Sequence, residues 1–172
     1  MQKNDPLTDL LFKQIIGEVE KRLFEEGIPR IKKCLALLNE VEVWIRPNEN
    51  SNSVGNLVLH LCGNVRQWII AGLGKHPDVR KRQQEFDENG PLPTAQLISL
   101  LDQLEVDVRK VLATVTPQML VEEHPVQVYH ETGTTILIHV VEHFSYHVGQ
   151  ITYFVKARKD LDVGYYEGVP LE

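Results

Sequence analysis

Four stretches of this chain place apolar residues three or four positions apart for ten residues or more, a period that dictates helices facing a shared core. Leu10, Leu11, Ile15, Val19 and Leu23 begin the first, and Ile31, Leu35, Leu38 and Val41 continue it. That spacing predicts one long helix with a bend at Pro29. Ser51 or Ser53 caps a second helix, from Ser53 to Leu73. Its interior Gly55 and Gly63 each cost about 1 kcal/mol relative to alanine, so they point to close approach of another helix or a ligand. Thr94 caps a third, with Leu97, Leu101, Leu104, Val108 and Leu112 on one face. Thr116-Pro117 starts a short turn of helix. Thr132 or Thr134 opens a fourth helix that runs to Lys159.

The segment Pro125 to His130 alternates apolar and polar residues and reads as a short extended piece without an obvious strand partner. The tail after Asp160, with Tyr165, Tyr166 and Val169, is expected to pack on the surface. With no repeat and no Gly/Ser linker, residues 1–172 read as a single all-α domain, a four-helix bundle with a short C-terminal tail. The connections around Asn48 and Lys81 are long for a bundle, and loops of that kind often carry function.

The net charge is −6, from 18 basic and 24 acidic residues. That balance argues against nucleic acid as the main partner, since neutralising phosphates needs a basic face. No segment approaches the roughly 20 apolar residues that span a bilayer. The start, Met1-Gln2-Lys3-Asn4-Asp5-Pro6, lacks the pattern of a secretory signal. Cys34 and Cys62 form no Cys-x-x-Cys pair and suit a reducing cytoplasm.

Of the seven histidines, His139, His143 and His147 fall within nine residues. Steps of four keep all three on one side of a helix, but the outer two lie about 12 Å apart along the axis. Two from this helix can therefore share one ion, and the third ligand must come from elsewhere. His60, mid-helix among aliphatic residues, is the natural third, because a buried imidazole needs a partner. Cys62 sits about 200° around the helix from His60 and is a poor ligand candidate. Asn64 and Gln150 share the faces of His60 and His147 and can orient a water or a substrate. His76, His124 and His130 lie in expected loops and read as solvated. Three neutral nitrogens suit Zn, Ni or Fe, and a three-ligand set leaves a coordination position open, as catalytic sites do.

The segment His60-Leu61-Cys62-Gly63-Asn64-Val65-Arg66-Gln67-Trp68 resembles the second-helix signature of the DinB-like superfamily. Arg80-Lys81-Arg82-Gln83-Gln84-Glu85-Phe86 resembles the Arg-rich Glu-Phe stretch of one poorly characterised branch, and Glu142-His143-Phe144-Ser145-Tyr146-His147-Val148-Gly149-Gln150 resembles the fourth-helix signature. The resemblance covers the chain from about Leu10 to Lys159. It implies a bacterial four-helix bundle, often a homodimer, with a divalent metal held by His60, His143 and His147. Some members of the superfamily are transferases that use a low-molecular-weight thiol, others are thiol-dependent isomerases, and many have no known activity. By the same resemblance His139 extends the pattern one turn and reads as a residue that supports the ligands or lines the cavity.

Two functions follow as expectations. One is a metal-dependent transferase or hydrolase acting on a small molecule, with Asn64 and Gln150 positioning it. Arg80 and Arg82 could bind an anionic group at the mouth of such a site, although a solvated charge run is the plainer reading of the two. The other is a non-catalytic interaction or stress-related bundle whose metal site is regulatory or vestigial. A fourth protein ligand such as His139 or Glu142 would be its sign.

Overall fold

The computed structural model describes residues 5–90 and 92–170, so most of the Met1–Pro6 start, read as lacking a secretory-signal pattern, lies outside the described residues. The chain opens with α1 (Pro6–Glu20), which runs through a π-helical segment (Lys21–Gly27) into α2 (Ile28–Leu37). The long first helix is therefore present, with its irregularity ahead of Pro29. The Ile28 N–H reaches back five residues to Leu23 O. Widening the helix there accommodates a proline that has no N–H and whose ring would clash with the carbonyl four residues before it. The helix stops short of Val41. Leu38 is extended, and Asn39 and Glu42 form a capping box that starts the short α3 (Glu40–Val43), leaving Val41 73% exposed.

Ser53, not Ser51, caps α4 (Val54–Val65) through a second capping box with Asn56. This helix continues as a π-helical segment (Arg66–Leu73), so the expected range to Leu73 holds. Trp44 lies against Gly55, where a Cβ would fall 2.6 Å from its ring, so this glycine does mark a close approach.

The loop expected around Lys81 contains α5 (Arg82–Asp87), which α4 holds in place. Asn56 Nδ2 donates to Glu85 O at 3.0 Å and Glu88 O at 2.7 Å. In α6 (Thr94–Leu112) all five expected core residues are buried. Thr94 does not cap it: Pro93 holds that position, and the Thr94 N–H donates instead to the Glu40 carboxylate. Thr116 caps α7 (Pro117–Val121) as expected.

Pro125 to His130 does find a strand partner, its own continuation. β1 (Glu123–Val126) pairs antiparallel with β2 (Tyr129–Thr132), with Val126 opposite Tyr129 and Gln127 at positive φ in the turn. His124, expected to be solvated, is 1% exposed under this hairpin, and its Nε2–H donates to Met119 O at 2.8 Å. His76 and His130 are exposed as expected.

Thr132 caps α8 (Gly133–Lys159), and Lys156, Arg158 and Lys159 in its last turn complement the negative end of the dipole. The tail inserts more deeply than expected. Val163 is buried, and the Tyr165 hydroxyl lies 2.7 Å from Thr152 Oγ1 and 3.1 Å from Cys34 Sγ. The first helical unit, α4 with its extension, α6 and α8 form an all-α bundle around one apolar core, with α4 packed against α5, α6 and α8. No helix of the described residues is long and apolar enough to cross a membrane.

Candidate metal centre

His60 sits in the middle of α4, 5% exposed, and faces His143 and His147 on α8. The His143 Nε2 lies 3.2 Å from His60 Nε2 and 3.2 Å from His147 Nε2. All three ligating atoms fall within 4.8 Å of one another. Nitrogens about 2.1 Å from a tetrahedral ion would be about 3.4 Å apart, so the cluster is close to the size such a site needs.

The outer nitrogens decide what the inner ones present. His60 Nδ1 is 3.0 Å from Glu85 Oε2, which also accepts from Arg80 Nη2 at 2.8 Å. Arg80 Nη2 also lies 3.1 Å from His60 Nδ1, but the ionised Glu85 can only accept, so a hydrogen on Nδ1 is what gives its 3.0 Å contact with Oε2 a donor. His147 Nδ1 is 2.7 Å from Gln150 Oε1, an acceptor, so it too is protonated on that side. Both rings therefore aim bare Nε2 lone pairs at His143. A single hydrogen on His143 Nε2 could not satisfy both at full strength. Burial first, then the charges of His147, His60, His139 and Arg80, push the His143 pKa down to about 3, so protonation does not supply the missing cation. Burial likewise lowers His147 and His139. Three converging nitrogen lone pairs are what a divalent cation requires, and the donor set fits one.

Glu85 is the residue that sequence reasoning missed. Burial alone would raise its carboxyl, but hydrogen bonds from Arg80 and His60 outweigh that and hold it below the usual range. A carboxylate behind a ligating histidine fixes its tautomer and raises its basicity. Gly63 makes the approach of α5 fit: a Cβ there would lie 1.9 Å from Glu85 Oε1. A glycine one turn from a candidate ligand was the available signal.

Arg80 does not form part of a solvated run. Its side chain is 4% exposed, with Nε on Glu85 Oε1 at 2.7 Å and Nη1 on Gln67 Oε1 at 2.8 Å. Arg82 is exposed, and its guanidinium lies 4.9 Å over the Phe86 ring. Cys62 faces away from the cluster as expected, and burial pushes its thiol up to about 12. His139 stacks on Trp68 with centroids 3.8 Å apart, and it and Glu142 stand outside the three-histidine group.

His60 and His143 also line a cleft of about 350 Å³, shared with Asn64, Trp68, Arg82 and Glu131 among others. Four buried polar atoms have no protein partner here: Asn64 Oδ1, Trp68 Nε1, His139 Nε2 and His143 Nδ1. Each such atom costs about 1–3 kcal/mol if nothing meets it.

Three solved structures share this fold. A DinB-like protein from Bacillus cereus aligns at 15% identity with TM-score 0.62, over 81% of this chain and 90% of that one. A DinB-like protein from Bacillus subtilis aligns at 17% and 0.64, over 87% and 94%. A conserved protein from Enterococcus faecalis aligns at 14% and 0.67, over 88% and 97%. A comparison with curated proteins finds no match. The model of the family described as protein of unknown function (DUF1572) matches residues 15–165. This chain therefore belongs to that family, and its bundle is DinB-like.

Proposed function

We propose that this protein holds one divalent metal ion, Zn, Ni or Fe, on His60, His143 and His147, and that the centre acts on a small molecule as a transferase or hydrolase. The observation that carries the proposal is the convergence of three Nε2 atoms, two of them on rings whose Nδ1 hydrogens are taken up by Glu85 and Gln150. A bound ion there supplies Lewis acidity, enough to bring the pKa of a water or a low-molecular-weight thiol near neutrality.

The chain's own residues supply the rest. Glu85 and Gln150 hold two ligand rings in register, and Arg80 keeps Glu85 ionised. Asn64 offers an unmatched oxygen to whatever enters the cleft. Arg80 is buried and committed to Glu85 and Gln67, so Arg82 is the arginine left to meet substrate. Because neither His139 nor Glu142 joins the cluster, the arrangement favours an open coordination position over a closed, vestigial one. The exposed Leu7, Leu10 and Leu11 on α1 would form the seam of a homodimer.

The test is elemental mass spectrometry on untagged, chelator-free protein beside His143→Ala. About one metal per chain, lost in the variant, supports the centre and justifies screening thiol transfer and hydrolysis. No metal in either protein, even after reconstitution, removes the proposal.

A further inference from the structure

The cleft beside His60 and His143 has two unmatched ends. Deep in it, Asn64 and Trp68 are 4% and 6% exposed, and neither Asn64 Oδ1 nor Trp68 Nε1 meets a protein group. One is an acceptor and the other a donor, so together they call for a group that both donates and accepts, a carboxamide or a hydroxyl. Nearer the solvent, Arg82 and Glu131 line the same cleft. Among the described residues neither forms an ion pair, with the other or with anything else. Arg82 is stacked on Phe86, which itself packs 4.8 Å from His60, so the cation is held near the cluster without being neutralised.

The charges decide the ligand class. Arg80 and Glu85 are paired with each other. What remains is one positive and one negative group. A ligand that carries both a carboxylate and an ammonium, a zwitterion, meets both groups at once. Its volume of about 350 Å³ is at the small end for ligand sites.

We propose that this cleft binds an α-amino acid with a polar side chain: its carboxylate on Arg82, its ammonium on Glu131, and a side-chain amide or hydroxyl on Asn64 and Trp68. The assignment names the substrate class of the centre described above and rests on that small-molecule reading.

Calorimetric titration of the 172-residue chain with L-glutamine, N-acetyl-L-glutamine and L-glutaminamide tests it. L-Glutamine should bind at least tenfold more tightly than either analogue. Arg82→Gln should abolish the preference over glutaminamide and leave the preference over the acetylated form. Glu131→Gln should do the reverse. Both residues are outside the core, and this crossed pattern cannot arise from general loss of fold. No binding of L-glutamine, equal binding of the three compounds, or variants that leave both preferences intact would overturn the proposal. Metal content, read by elemental mass spectrometry on the same samples, separates the two readings. Zwitterion binding without metal keeps this inference and removes the metal centre, and metal without zwitterion binding does the opposite.

Discussion

His60 gives its Nδ1 hydrogen to Glu85 Oε2 across 3.0 Å, and so a residue 25 positions away sets which nitrogen the ligand presents to the centre. Glu85→Ala should weaken metal binding by roughly 10- to 100-fold. It should also cost about 3–5 kcal/mol, because Arg80 is left charged and buried without its partner. Replacing both, as Arg80→Leu with Glu85→Leu, should recover most of the stability and none of the metal affinity. Denaturant unfolding and metal titration on the same proteins separate the two effects.

Gly63→Ala should act at a distance of one side chain. Its Cβ would lie 1.9 Å from Glu85 Oε1 and 3.0 Å from Arg80 Nε, so the carboxylate must leave His60. Metal affinity should fall by an amount close to that of Glu85→Ala. Gly149→Ala is the control, since nothing lies within 4 Å of the added atom. It should raise stability by about 0.5–1 kcal/mol through helix propensity alone, as thermal unfolding will show.

Asn56→Ala removes the donor that α5 uses to anchor its backbone to α4. Glu85 O and Glu88 O lose their partner, at about 1–3 kcal/mol for each group left unsatisfied. Amide hydrogen exchange should rise across Arg82–Asp87, and metal affinity should fall with it although no ligand has been touched. Unchanged exchange in that segment would show that α5 is held by its side chains instead.

The metal-free protein should lose stability as the pH falls from about 7 to about 4. His143 has a folded pKa near 3 against an ordinary 6.5, and His147 and His139 are lowered in the same direction. Below about 6.5 the unfolded chain therefore takes up protons that the folded chain refuses, which favours unfolding. The contribution is complete above the unfolded value and lost progressively as the pH approaches the folded one. Denaturant midpoints across that range should fall less steeply for His143→Phe than for the unaltered chain.

Much of this architecture is legible in the sequence because helical period and caps are local properties. The core stripe of α6, the Ser53, Thr116 and Thr132 caps and the range of α8 all follow from residues within one or two turns. The meeting of His60 with His143 and His147 was expected from spacing and burial, and from the resemblance. What escaped depends on tertiary contact. α5 is too short to show a period, and it is stabilised by Asn56 rather than by its own composition. Arg80 reads as one charge in a basic run until Glu85 folds back upon it. His124 reads as a loop residue because its burial is supplied by a hairpin whose second strand, Tyr129–Thr132, carries no apolar alternation. Thr94 has the right identity for a cap, but it is already the first residue of the helix, with Pro93 in the cap position before it and Glu40, 54 positions earlier, accepting its N–H.

The two π-helical segments, Lys21–Gly27 and Arg66–Leu73, have a consequence for how this chain tolerates changes in length. A turn closed over five residues instead of four holds one residue more than an α-turn of the same helix. Deleting a residue inside Arg66–Leu73 would let the helix relax to ordinary geometry without fraying, while the half that carries His60 stays seated against α8. The helix that carries His60 thus contains its own slack, placed after the turn that bears the ligand. A deletion there is absorbed as a change of pitch, and does not propagate to the His60 nitrogen.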